Sequence, residues 1–314
     1  MISISLIIPG KNCSSTIGRA LDSVFNQTIN PNIIEVIYVD DSSTDKSLEI
    51  VRNLKSKTTL KFKIVSLPNS FGGPSKARNV GIENAIGNYL FFLDADDFLE
   101  KHCLKKLLDK SKGVSDYVVA THFQCRQNKL GEKFKIQNIC GLEHWDEFYN
   151  ENFLEEYFRK YSMFSRKFCL FEHCWGRLIK KSIVKEHKIK FDEKLNQLED
   201  ILFNSTVLKK ATKISIEPTP LYNHVLYGSN ERLSNKAGEN INIIEDLNYV
   251  TLNLANLYQK YSLNKKDKIT PHEFIGNLIS SKLINYIVRL STRSTTNAIF
   301  SENVKSIPSM LILV

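Results

Sequence analysis

The apolar run of residues 89–93 stops abruptly in three carboxylates, Asp94, Asp96 and Asp97. Like charges at that density repel one another and resist desolvation, so they require a cation or a hydrogen-bonding cage. Asp94 and Asp96 lie two apart and point to one side if strand geometry persists. Oxygen-only ligands suit a hard divalent ion, and the cluster reads as a metal and phosphate site. Three other groups could share in that chemistry. Asp40 and Asp41 close the run VIYVDD, and Lys76 and Arg78 follow a Gly/Pro loop. In that loop Gly72 and Gly73 allow close backbone approach to an anion while the two cations supply charge. Glu199 and Asp200 begin a helical pattern, where the N-terminal field favours an ionised carboxylate.

Regular elements must position these groups. Residues 2–9 form a β-rich run ending in Pro9, and residues 11–15 a polar turn. Ile17, Ala20, Leu21, Val24 and Phe25 then recur at helical spacing, with Ser14 or Ser15 as N-cap. Residues 33–39 predict a second strand, followed by a helix carrying Leu48, Val51 and Leu54 that Asp45 or Ser43 caps. A third strand is predicted over 61–67, and a helix over 76–86 that Gly87 closes as C-cap. Strands separated by helices of this length argue for right-handed βαβ units, an α/β fold with a mainly parallel sheet flanked by helices. The acidic turns after Val39 and Leu93 both fall at strand carboxyl ends and should share one crevice.

Beyond residue 110 the pattern is less regular, with a strand over 116–123, an aromatic segment over 145–171 and mixed structure over 174–236. From residue 239 it turns helical. Ile243, Leu247, Val250, Leu254, Leu257 and Tyr261 form a seam fit for packing on another helix. A second helix is predicted from Thr270, with Glu273 completing a capping box and Pro271 at the first helical position.

Composition narrows the classes. With 314 residues and 42% hydrophobic content the chain can bury a substantial core. A net charge of +9 implies an anionic partner: nucleic acid, an acidic membrane or a phosphorylated ligand. The lysines are dispersed and no basic stripe with stacking aromatics is found, which argues against nucleic acid. Six cysteines without a CxxC pair exclude a zinc ribbon or redox motif and fit free thiols in a reducing cytoplasm. The start, MISISLIIPG, is expected to be a strand rather than a signal peptide. No apolar run approaches the roughly 20 residues that span a bilayer, so any membrane is met from its surface. The apolar ending SMLILV is expected either to continue beyond Val314 or to bury itself against a partner.

Taken in order, IIPGKN, SVFNQT, VIYVDDSSTD, GGPSKARNVGI, FLDADD, CWGRLIKKSI and LNQLED resemble family 2 glycosyltransferases, which have the A-type glycosyltransferase fold, a Rossmann-like nucleotide-binding architecture. The resemblance runs from about residue 2 to residue 234, and its specificity lies in the ordered set. It implies a metal-dependent inverting enzyme, using Mn2+ or Mg2+, that moves a sugar from a UDP-sugar donor. The acceptor would be a hydroxyl of a glycan or lipid-linked oligosaccharide in surface polysaccharide or lipooligosaccharide assembly.

The resemblance also implies residue roles. The backbone at Pro9 faces the base, and Asp41, beside Asp40, accepts the uracil N3–H, a donor that an acceptor-only carboxylate reads well. Lys76 and Arg78 meet the diphosphate, Arg78 matching the family position more closely. Asp94 contacts the ribose or a metal-bound water, Ala95 lies beside it on the donor, Asp96 binds the metal, and Asp97 supports the turn. Asp200 is the base that deprotonates the acceptor, with Glu199 its close rival. Trp175 lines the sugar and acceptor site, where it could stack on a sugar face. His224 lies in a segment that closes over the donor, as a third metal ligand or a diphosphate contact.

On this reading residues 1–110 are the nucleotide-sugar half, 111–236 the acceptor half of the same catalytic domain, and 237–314 a helical extension. Lys265, Lys266, Lys268, Lys282, Arg289 and Arg293 would dock the extension on anionic lipid at the inner face of the cell membrane, the protein being cytoplasmic. The bland alternative is that these helices cover the catalytic domain or pair in a homodimer. Sugar nucleotidyltransfer is disfavoured because PGKNCSS stands where that class carries a GxGTRL-like loop. A non-catalytic nucleotide-sugar-binding subunit of a glycan assembly complex is disfavoured by the retention of both acidic pairs.

Overall fold

The architecture is that of a computed structural model describing residues 1–69, 73–127, 133–138, 147–149, 171, 173–195, 197–226 and 243–258. The first third alternates strand and helix as its periodicities require: β1 (Ile4–Gly10), α1 (Ile17–Phe25), β2 (Ile34–Asp40), α2 (Ser47–Lys55), β3 (Lys61–Ser66), α3 (Ser75–Asn84) and β4 (Tyr89–Phe92). β5 (Phe98–Leu99), α4 (Cys103–Ser111), β6 (Tyr117–Gln127), β7 (Lys133–Asn138) and β8 (Glu147–Tyr149) follow. The described chain continues with β9 (Arg177–Lys180), α5 (Lys181–Glu186), α6 (Glu199–Lys210), β10 (Lys213–Val225) and α7 (Ile243–Tyr258).

These strands make one sheet in the order β3-β2-β1-β4-β9-β6-β10-β5, with β7 on β6 and β8 on β10. β3, β2, β1 and β4 are parallel. The other half is mixed: β9 runs antiparallel to both β4 and β6, while β6 and β10 are parallel to each other. The expectation of a mainly parallel sheet therefore holds for the first four strands. Beyond them β9 joins the two halves with reversed polarity.

Both faces of the sheet are covered, which is why its strands read as continuous apolar runs. Leu6, Ile8, Val36, Tyr38 and Phe91 pack toward α1, α2 and α4. Ile7, Ile37, Val39, Leu90 and Phe92 face the opposite way, toward α3, α6 and α7. In α1 the buried residues are Ile17, Ala20, Leu21 and Val24, the predicted stripe, but the N-cap is Thr16 rather than Ser14 or Ser15. The N-cap of α2 is Lys46 rather than Asp45 or Ser43, although Asp45, one residue earlier, accepts the Ser47 N–H at 2.9 Å. Leu247, Val250 and Leu254 of α7 bury against the core that contains Val207 and Leu208 of α6. The seam thus packs on the α/β core over its described length. Tyr261, the helix predicted from Thr270, the basic residues from Lys265 to Arg293 and the apolar ending lie outside the described residues, as do Gly72 and most of the aromatic segment.

Cys13, Cys103, Cys125 and Cys174 are free thiols, and among the described residues no helix is long and apolar enough to cross a membrane. Gly87 differs from expectation. α3 ends earlier, with Ala85 in an extended C-cap, and Gly87 lies against β1, where its N–H donates to Ser5 Oγ at 2.8 Å. A Cβ there would stand 2.6 Å from Ser5 N and 2.8 Å from the Ile4 carbonyl carbon. Backbone, unlike a flexible side chain, cannot give way. Gly87→Ala should therefore destabilise the fold by about 1–3 kcal/mol, as overpacking does, measured by urea unfolding with an unchanged m-value.

Candidate active site

The parallel half delivers its acids as chain topology requires. Gly10 of β1 pairs with Asp40 of β2, and Ile7 pairs with Phe92 of β4, so residues 40–41 and 94–97 emerge at neighbouring carboxyl ends. Asp40 serves its own turn: its carboxylate accepts from the Tyr38 hydroxyl at 3.3 Å and the Ser43 N–H at 3.1 Å. Asp41 is buried, donates its N–H to Gly10 O and lies 3.7 Å from the Lys11 ammonium. Pro9 is part-buried in β1, on the strand edge beside that turn. Lys76 extends to Glu193 at 3.2 Å, at the part-exposed side of α3.

Arg78, one helical turn into α3, occupies the centre. It is 3% exposed, and its guanidinium reaches Asp94 at 3.0 Å, Glu199 at 2.8 Å and Asp200 at 2.9 Å. Burial alone would lower its pKa. The surrounding acids, Asp200 foremost, reverse that and hold it charged, well above its usual value. Phe191 lies 5.2 Å beneath the guanidinium. The next residue, Asn79, locks Phe191 through two hydrogen bonds of 2.9 Å, one from its amide to Phe191 O and one to its carbonyl from Phe191 N. Sequence reading put the positive charge of Arg78 toward a diphosphate. The structure adds that it ties the strand-end acid to the helix-start pair.

That pair sits at the mouth of α6, whose N-cap residue Leu198 is held at φ +67°. A left-handed leucine costs about 1–3 kcal/mol and persists only where its surroundings over-determine it. The strain turns the chain so that Glu199 and Asp200 enter the crevice together. Asp200 receives Arg78 on one oxygen and the Cys174 N–H, at 3.3 Å, on the other. The Glu199 carboxyl is pushed up to about 8, by burial first and by Asp200 second, against the opposing pull of Arg78.

Asp94, Asp96 and Asp97 can bring ligand atoms within 4.8 Å of one another, the group of this kind found among the described residues. Their oxygens suit a hard cation. Asp97 is 1% exposed, and burial together with Asp96 and Asp94 pushes its carboxyl well above the usual range. It accepts from the Tyr222 hydroxyl at 2.7 Å and the Val225 N–H at 2.8 Å, so it secures the turn, as the sequence implied. Ala95 is buried within the turn, and the Arg19 guanidinium donates to the Asp96 carbonyl. Three acids thus meet the buried guanidinium, and Asp94 is shared between it and the Asp94–Asp96–Asp97 cluster that a cation fits. Among the described residues, Ser75 Oγ and Arg78 Nε, both in the first turn of α3, are buried without a hydrogen-bond partner.

Trp175 departs from the expected sugar platform. Its indole lies parallel to His173 at 4.3 Å and 10° and to Tyr222 at 4.3 Å and 9°. Two rings that close and that parallel cannot share one face without colliding. The indole is therefore sandwiched, and at 3% exposure neither face is open to a sugar. His224 joins the same cluster, its ring 5.1 Å from Trp175 and 6.3 Å from His122. Sequence reading missed Arg19, His173 and Tyr222 as parts of the site. Nothing local marks them: Arg19 and Tyr222 act on a turn far away in the chain, and His173 acts through Trp175.

The chain matches the family described as Glycosyl transferase family 2 over residues 5–187. It is 31% identical over 233 residues to a poly(ribitol-phosphate) beta-glucosyltransferase of Bacillus spizizenii, covering 74% of this chain and 34% of that protein. It is 26% identical over 234 residues to the poly(ribitol-phosphate) beta-N-acetylglucosaminyltransferase TarS of Staphylococcus aureus, covering 74% of this chain and 37% of that one. The chain therefore spans about a third of the length of these two relatives. The structure of S. aureus TarS 1-349 in complex with UDP-GlcNAc superposes with a TM-score of 0.65 at 22% identity, covering 94% of this chain and 74% of that chain, a likeness of fold.

Two outcomes test the electrostatics. Arg78→Met strands three partly buried carboxylates and should cost about 3–5 kcal/mol at neutral pH, read by urea unfolding. Glu199 holds its proton more tightly folded than unfolded, so its contribution favours folding below its ordinary value of 4.5 and is lost as pH rises toward about 8. Glu199→Gln removes that term. From about pH 5 to about pH 8.5 the difference in melting temperature between variant and wild type should shift in the variant's favour, measured by calorimetry.

Proposed function

The chain belongs to glycosyl transferase family 2, and we propose that it moves a sugar from a UDP-sugar to a hydroxyl of a glycan or lipid-linked acceptor, with inversion at the anomeric carbon and with Mn2+ or Mg2+. One observation carries this reading: the Arg78 guanidinium draws Asp94 and the Glu199–Asp200 pair into one buried centre. A nucleotide-binding module needs no second acidic pair facing the first. The sequence relatives named for poly(ribitol-phosphate) glycosylation support an acceptor of the surface-polymer class, and the fold neighbour solved with UDP-GlcNAc supports a UDP-sugar donor.

In this reading Asp41, at the end of β2, accepts a hydrogen bond from the imide N–H of the base, with the Pro9 backbone alongside and Asp40 bracing the turn through Tyr38 and Ser43. The orphaned donors of Ser75 and Arg78 at the start of α3 support an anion there, and Lys76 adds charge at the rim. Asp94 and Asp96 would hold the cation, with Ala95 between them against the donor. A bound Mn2+ or Mg2+ would supply Lewis-acid stabilisation of the charge that develops on the diphosphate. His224, one residue before the Val225 amide that fixes Asp97, contributes on the diphosphate side.

Asp200 is the base. Its two oxygens accept from Arg78 and the Cys174 N–H, whereas the raised Glu199 carboxyl holds its own proton near neutrality. The first therefore accepts the hydroxyl proton of the acceptor and the second keeps the pair from doubling its charge. With its faces covered, Trp175 shapes the sugar side as a wall.

UDP release measured across a panel of UDP-sugars with Mn2+ tests the assignment. Asp96→Ala should abolish release, and Asp200→Asn should lower kcat by on the order of 100-fold or more, both with the wild-type fold by circular dichroism. Release that survives both chelation and the Asp96 substitution would remove the metal from the proposal.

A further inference from the structure

The acidic turn hangs between two strands that do not neighbour each other. It leaves β4 and enters β5, and β5 pairs antiparallel with β10, with Tyr222 opposite Leu99 and Asn223 opposite Phe98. β10 is irregular at this point: its register against β6 shifts between Glu217 and Pro220 and again between Pro220 and Tyr222. Pro218 and Pro220 have no N–H to give, and bulges of this kind re-aim the side chains that follow them.

The re-aimed side chain is Tyr222. Fully buried, it accepts the Asp94 N–H at 3.2 Å and donates to the Asp97 carboxylate at 2.7 Å. One hydroxyl thus holds both ends of a turn already closed by the Asp97 N–H to Asp94 O hydrogen bond of 3.1 Å. The ring cannot swing away, because Trp175 lies on it at 4.3 Å and His173 lies on Trp175 at the same spacing. Trp175 is in turn bridged to Phe92, the last residue of β4. The column His173–Trp175–Tyr222 therefore stands beside the strand end that carries the acids and is braced at both ends, since the Asn204 amide donates to His173 O at 2.8 Å.

We infer that Tyr222 is a positioning residue for the site: its hydroxyl, fixed by the Trp175 sandwich, sets the backbone of residues 94–97 so that Asp94 and Asp96 present their oxygens in one arrangement before any cation arrives. The inference rests on the metal and nucleotide-sugar reading of that turn. It goes further by making the aromatic column on the acceptor side part of the machinery that shapes the donor side. Substituting one hydroxyl should loosen the turn without emptying the core, because phenylalanine keeps the stack.

Tyr222→Phe and Trp175→Leu, in the full chain, provide the test, with two readouts. In metal-free protein, hydrogen exchange in the peptide spanning residues 94–97 should rise at least several-fold in Tyr222→Phe while the peptides of β1 and β2 stay protected. Trp175→Leu, which keeps the hydroxyl but removes the ring that holds it, should show the same change to a smaller degree. With UDP present, the Mn2+ dissociation constant read by electron paramagnetic resonance should weaken by about tenfold in Tyr222→Phe, roughly the worth of one hydrogen bond. Wild-type exchange at 94–97 together with wild-type Mn2+ affinity in Tyr222→Phe overturns the inference. A wild-type protein that binds no Mn2+ with UDP overturns the metal reading instead, and the exchange measurement still judges Tyr222.

Discussion

A buried guanidinium is expensive unless its surroundings repay the lost hydration, and much of this molecule is arranged around that requirement at Arg78. Three carboxylates from two distant segments converge on it. Phe191 supplies a flat apolar floor, and Asn79 fixes that floor through paired hydrogen bonds to its backbone. The strained Leu198 at the head of α6 belongs to the same requirement, since only a sharp turn brings two consecutive acids to one cation. Stability and the proposed chemistry share the arrangement: the groups that neutralise Arg78 are also those proposed to act on the donor and the acceptor.

The acids divide into two kinds by what holds them. Asp40 is held at its own strand end by the Tyr38 hydroxyl and the Ser43 N–H, while Asp41 meets Gly10 and Lys11 at the adjacent end of β1. Asp94, Asp97, Glu199 and Asp200 depend on partners more than a hundred residues away, Arg78 and Tyr222 in particular. The turn after β2 is thus built from the adjacent ends of β1 and β2, and the centre around Arg78 from segments far apart in the chain. Net negative charge accumulates only at the second, where a cation has reason to bind.

The same distinction explains how much was legible in the sequence. Strands β1, β2 and β4 are buried on both faces, so they read as unbroken apolar runs, and the acids that follow them had to lie at carboxyl ends. The stripe of α1 was equally plain. What the pattern concealed were contacts between remote segments. Gly87 resembles a helix C-cap in sequence, yet its purpose is the close approach of Ser5. Trp175 invites a reading as a sugar platform until His173 and Tyr222 are seen to cover it. The reversed polarity of β9 leaves no trace in the composition of four residues, and Tyr222 looks like any aromatic in a strand.

The antiparallel β9 strand has a kinetic consequence. It is the seam between β4 and β6, and the segment just before it carries Cys174, whose N–H holds Asp200. The loops that must close to bring Glu199 and Asp200 to Arg78 span 121 and 122 residues, and ordering such loops delays the contacts that reward it. The four parallel strands precede the rest of the sheet in the chain, but a nascent polypeptide carrying only those strands and the turn after β4 would leave Arg78 with Asp94 alone of its three carboxylates. The centre around Arg78 is therefore expected to form late, so a chain interrupted before β9 docks would carry the turns after β2 and β4 without Glu199 and Asp200.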